Sequence, residues 1–119
     1  MYLKRLAVIL GAAGLAACGS NPYGPSGGGG GHTTALTVSN DVFTPTPDTV
    51  PAGQVTFTWS SASNGHNVTW DSGPGTLPTN STTKTSGTYQ ATLVVGTYNY
   101  HCTFHGAPGS GMHGTIVVH

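Results

Sequence analysis

Residues 98–115 read Tyr-Asn-Tyr-His-Cys-Thr-Phe-His-Gly-Ala-Pro-Gly-Ser-Gly-Met-His-Gly-Thr, and this stretch organises the reading of the whole chain. Cys102 is followed three residues later by His105, and Met112 is the one methionine besides the initiator. A thiolate, an imidazole and a thioether make a soft, mixed donor set. Such a set suits copper, which has to be held comfortably as both Cu(I) and Cu(II). If the stretch is a strand, period two puts Tyr98, Tyr100 and Cys102 on one face and Asn99 and His101 on the other. His101, although adjacent to the cysteine, is therefore expected to point away from the metal.

A further donor, His66, lies in Asn64-Gly65-His66-Asn67-Val68-Thr69-Trp70. The pair of motifs, an early His-Asn-Val and a late Tyr-x-Tyr-x-Cys-x-x-His followed by Met-x-Gly, resembles the cupredoxin family of blue-copper proteins and in particular its plastocyanin, amicyanin and pseudoazurin branches. The resemblance runs from Thr34 to the C-terminus and takes in Phe43-x-Pro45 and Val50-x-x-Gly53 ahead of Val55-x-Phe57-x-Trp59. It implies an all-β fold, a Greek-key β-sandwich of seven to eight strands with the metal at one end. It also implies one type 1 copper per chain, with His66, Cys102 and His105 as equatorial ligands and Met112 as the axial one. Asn67 matches the asparagine that ties the two ligand loops together in the family. By the same likeness, the edge of His105 emerges through a small apolar patch of Phe104, Gly106, Ala107, Pro108 and Gly111, where redox partner proteins dock. The spacer 106–111 between His105 and Met112 is longer than in these relatives and is rich in glycine, so it reads as a long loop.

Composition bounds the rest. A chain of 119 residues, shorter after processing, holds one domain with one modest core and no large catalytic cleft. Only 5% of residues are charged while glycine, proline, serine and threonine abound, which favours strands and turns over helices. Lys4 and Arg5 belong to a leader that is removed, so the mature chain has Lys84 against Asp41, Asp48 and Asp71, a net charge of about −2. No basic patch is present to hold phosphates, which argues against nucleic acid as a partner.

At the N-terminus, Lys4 and Arg5 precede an apolar run to residue 17 that is too short to span a bilayer and reads as a secretory signal. It ends in Leu15-Ala16-Ala17-Cys18, similar to the lipobox of bacterial lipoproteins, which makes Cys18 the expected site of lipidation. Residues 18–34, with five successive glycines, read as a flexible tether that reaches roughly 20–24 Å on average and about 55 Å when stretched. The copper-binding domain is then 35–119. Within it, Leu36 and Val38 alternate with polar neighbours, as do Val55, Phe57 and Trp59. A short strand is expected over 67–70, a loop over 71–87, a hairpin of 88–95 with 97–103 about Gly96, and a closing strand over 115–118, giving an antiparallel sandwich. Trp59, Trp70, Tyr98 and Tyr100 read as core aromatics. Asn67-Val-Thr and Asn80-Ser-Thr match a glycosylation pattern that fits poorly with a bacterial lipoprotein.

These features point to a monomeric one-electron carrier of the cell envelope, lipid-anchored on the extracytoplasmic face of a membrane. The alternative is a copper storage or delivery protein, although those more often expose clusters of methionine or histidine. An enzyme is not expected, because a second copper centre needs further histidine clusters and His32, His101, His113 and His119 are scattered.

Overall fold

The computed structural model describes residues 31–60 and 62–119. The signal segment, Cys18 and the tether as far as residue 30 lie outside the described residues. Eight strands follow one another: β1 (Ala35–Ser39), β2 (Val42–Thr44), β3 (Asp48–Val50), β4 (Gly53–Trp59), β5 (Thr69–Ser72), β6 (Gly87–Leu93), β7 (Gly96–Ala107) and β8 (Ser110–Val118). They form two four-stranded sheets, in the orders β2-β1-β4-β6 and β3-β8-β7-β5. Among the described residues, no helix is long and apolar enough to cross a membrane.

The period-two patterns set which face is buried. In β4, Val55, Phe57 and Trp59 are buried and Thr58 is exposed, while Leu36 and Val38 of β1 face the same way. From the second sheet, Tyr98, Tyr100 and Cys102 of β7 and Met112, Ile116 and Val118 of β8 point inward to meet them. Phe57 sits at the middle of this core. Its ring lies 5.3 Å from Tyr100 and 6.2 Å from Trp70, edge-on to both. Edge-to-face pairs of this kind add about 0.5–1.5 kcal/mol each beyond the area they bury.

Three expectations are corrected. The sheets are mixed, because β1 runs parallel to β4 and β3 runs parallel to β8. Parallel neighbours need a crossover between them, and here the chain between β1 and β4 makes it by visiting the other sheet as β3. The stretch around Gly96 is not a hairpin, since β6 pairs with β4 while β7 pairs with β5 and β8. A tight turn suits a hairpin and a sheet-to-sheet corner equally, and Gly96 at φ +146° turns this corner where a Cβ would lie 2.6 Å from Pro74 Cγ. The strand expected over 67–70 begins two residues later, because Val68 bonds to Ser81 rather than to a sheet neighbour.

Candidate metal centre

The first donor is held by its backbone. The His66 N–H donates to Lys84 O at 3.0 Å, and His66 O accepts from Lys84 N–H at 2.9 Å and from Trp59 Nε1–H at 3.1 Å. This fixes the residue between the end of β4 and the segment 79–84. That segment is braced in turn by the Asn80 Oδ1, which accepts the Trp70 N–H at 3.0 Å.

The ring of His66 is oriented by Asn40, at the turn between β1 and β2. Asn40 Oδ1 accepts the N–H groups of Ser63 at 3.1 Å and Asn64 at 3.3 Å, so it is an acceptor toward His66 Nε2 as well, 3.2 Å away. The proton of the neutral imidazole therefore sits on Nε2 and the Nδ1 lone pair is free. His66 is fully buried, and burial, followed by the proximity of His105, lowers its pKa below the ordinary imidazole value. The neutral, ligating form is favoured.

The second group of donors comes from a mismatch in the β7–β8 hairpin. His101 pairs with His113, and the ladder resumes only at Gly106 with Gly111, so residues 102–105 stand opposite Met112 alone. Cys102 Sγ, fully buried, lies 3.8 Å from His66 Nδ1 and 3.8 Å from His105 Nδ1, and the two Nδ1 atoms are 3.0 Å apart. A triangle of this size is what three donors subtend when each sits about 2.0–2.3 Å from a common centre. The donors fit a single ion. Met112 is 2% exposed and faces inward on β8 across from them. Among the described residues His66, Cys102 and His105 form the one cluster of histidine, cysteine and acidic side chains close enough to share a metal.

Asn67 joins the two halves. Its Oδ1 accepts the Thr103 N–H at 3.0 Å and its Nδ2 donates to Thr103 Oγ1 at 2.7 Å. His101 faces the other way, as period two requires, with Nδ1 2.6 Å from Asp71 Oδ1 on the outer face of the sheet. Phe104 is 61% exposed, Ala107, Pro108 and Gly111 are exposed, and Gly106 is half-buried.

The spacer 106–111 is not a loop. β7 and β8 continue through it and leave only Pro108 and Gly109 as the turn. Proline followed by a glycine at φ +72° is the signature of a type II turn. Asn40 and Asp41 went unrecognised in the sequence, where Asn-Asp signals only a turn. Asp41 Oδ1 lies 3.6 Å from His105 Nδ1, and Asp41 adopts φ +62°.

A family profile described as a Cupredoxin-like domain matches residues 7–118. Among solved structures, the chain is similar to a pseudoazurin from Sinorhizobium, with 26% identity over 76% of this chain and 74% of that one and a TM-score of 0.55. It is also similar to a reduced, singly substituted amicyanin, at 28% identity over 71% of this chain and 80% of that one, again with a TM-score of 0.55. A copper-containing nitrite reductase from Thermus scotoductus shares the fold at 21% identity and a TM-score of 0.55; the match covers 71% of this chain but only 22% of the enzyme's length. No curated protein matches the chain.

Proposed function

This chain belongs to the cupredoxin-like family, and from that premise we propose that it is a one-electron carrier with His66, Cys102, His105 and Met112 as the ligands of a single type 1 copper. The observation that carries this reading is the fully buried Cys102 sulfur 3.8 Å from each of two imidazole Nδ1 atoms. Copper held there supplies a one-electron couple, the thiolate and thioether suiting Cu(I) and the imidazoles accommodating Cu(II). The chain's own residues keep that couple fast by resisting movement. Asn40 holds the His66 ring, Lys84 and Trp59 hold its backbone, and Asn67 locks it to the strand of Cys102. The core residues around Cys102 exclude water from the sulfur.

His105 is the ligand through which electrons leave in this reading, since its side chain is 30% exposed while His66 and Cys102 are fully buried. The exposed, uncharged group of Phe104, Ala107, Pro108 and Gly111, with Gly106 beside them, supports docking of redox partner proteins by apolar contact. Signal cleavage before Cys18, lipidation of that cysteine and a Gly-rich tether place the carrier at a membrane of the cell envelope; the sequence Leu15-Ala16-Ala17-Cys18 supports this. Replacing Cys18 by alanine then releases the protein into the soluble envelope fraction, and retention in the membrane fraction counts against the anchor.

The deciding experiment is the absorption and EPR spectrum of the copper-loaded chain. An intense thiolate-to-Cu(II) band, lost in Cys102→Ser, is the expected result. A pale protein that still binds copper marks storage or delivery instead.

A further inference from the structure

The longer spacer between His105 and Met112 is converted into a rigid one by two glycines facing each other. Gly106 pairs with Gly111 at the rung immediately beyond the ligands, and the hairpin closes one pair later, Ala107 with Ser110. At this rung the strands approach more closely than side chains allow. A Cβ on Gly106 would lie 2.4 Å from Met112 O, 2.7 Å from Met112 N and 2.8 Å from Met112 C. A Cβ on Gly111 would lie 2.6 Å from His105 O and 2.9 Å from Gly106 Cα. The contacts are reciprocal, each glycine pressing on the backbone of a ligand residue in the other strand.

We propose that the Gly106–Gly111 rung positions Met112 against the Cys102–His105 bulge and so sets the strength of the axial contact. The inference rests on the proposed copper site and adds to it the element that would place Met112 relative to His66, Cys102 and His105. The obstructing atoms are backbone atoms, which cannot swing aside as the end of a flexible side chain does. The ladder is fixed on the near side by His101 with His113 and on the far side by the glycine rung. Between these two points the Met112 backbone has no slack. Widening the rung therefore moves Met112 away from the bulge. The potential of such a site is tuned by its weak thioether donor, so moving Met112 shifts the reduction potential.

Gly106 is the cleaner position to test, because Gly111 has φ +61° and would add backbone strain, whereas Gly106 is not among the positive-φ glycines. Gly109 supplies the control. It has φ +72° but open space around its Cβ position, so Gly109→Ala strains the turn without touching a ligand.

The test compares wild type, Gly106→Ala and Gly109→Ala in the full chain, by EPR and reduction potential with copper and by the Met112 methyl NMR shift without metal. The expected result is a shifted potential, altered copper hyperfine splitting and a displaced methyl signal in Gly106→Ala alone. Gly109→Ala lowers only the melting temperature. A Gly106→Ala protein indistinguishable from wild type, or both variants shifted alike, overturns the proposal. If Gly106→Ala does not fold, nuclear Overhauser contacts between residues 105–106 and 111–112 in wild type decide: present they uphold the rung, absent they sink it. A wild-type protein without a thiolate-to-copper band refutes the copper reading itself, while the metal-free methyl shift still reports on the rung.

Discussion

Asn40 Oδ1 lies 3.2 Å from His66 Nε2 while also accepting the backbone N–H groups of Ser63 and Asn64. One side-chain oxygen thus selects the tautomer of a buried histidine and fastens the loop that carries it. Partners of this kind are worth roughly 10- to 100-fold in metal affinity. Asn40→Ala is expected to weaken copper binding by that factor in a chelator competition, and Asn40→Asp, which keeps an acceptor, to retain most of it. Equal affinity in wild type and Asn40→Ala would remove the assigned role.

Met112 packs within the core, being 2% exposed, besides its proposed role at the metal site. Methionine and leucine are close in volume, and such exchanges usually cost under about 1.5 kcal/mol. Met112→Leu should therefore fold, bind copper through the other three donors and show a changed EPR spectrum. An unchanged spectrum would exclude Met112 as a ligand.

Asp48 is fully buried, with Oδ1 accepting the N–H groups of Thr33 at 3.2 Å and Thr49 at 2.9 Å while Oδ2 has no partner among the described residues. Desolvation raises its pKa, offset in part by those two N–H groups and by His32, and its charge in turn adds to the burial that pushes Tyr100 upward. A carboxyl whose folded pKa is raised contributes stability below the ordinary carboxylate value, and that contribution is lost as pH rises through the folded value. Asp48→Asn should be more stable than wild type at neutral pH, with the gap closing in acid. Urea denaturation of the metal-free chain at the two pH values measures this, and a gap independent of pH would refute it.

Phe104 is 61% exposed beside His105; its chain neighbours Thr103, Gly106, Ala107 and Pro108 carry no charge, and the Asp41 carboxylate 3.6 Å from His105 Nδ1 is the one charged group placed against this patch among the described residues. Phe104→Ser is expected to slow electron exchange with a partner several-fold at unaltered potential. The wild-type rate should fall only mildly on adding moderate salt, because charge-steered encounters alone are strongly screened. Stopped-flow mixing at two ionic strengths reads both effects.

The core faces of β1 and β4 and the closeness of Cys102 to His105 were legible in the sequence, because strand periodicity and short spacing are local properties. His101 was likewise assigned outward by alternation, and its contact with Asp71 agrees. Pairing was less legible. Gly96 turns a corner between sheets, and nothing within residues 88–103 distinguishes that from a hairpin, because the partners of β6 and β7 are β4 and β8. Residues 106–111 looked like a loop because glycine is usually a loop residue, whereas here two glycines let strands approach. Asn40 was invisible because its link to His66 spans 26 residues. Asn67 and Asn80 match a glycosylation pattern, yet the Asn67 amide is engaged through both its atoms with Thr103, and the exposed Asn80 uses its Oδ1 to accept the Trp70 N–H.

The groups that fasten His66 are all the protein's own: the Lys84 backbone, the Trp59 indole and the Asn40 amide. The receptacle is thus completed by folding, and its cargo arrives last. A chain that has folded empty can then be filled with copper without dismantling anything already built.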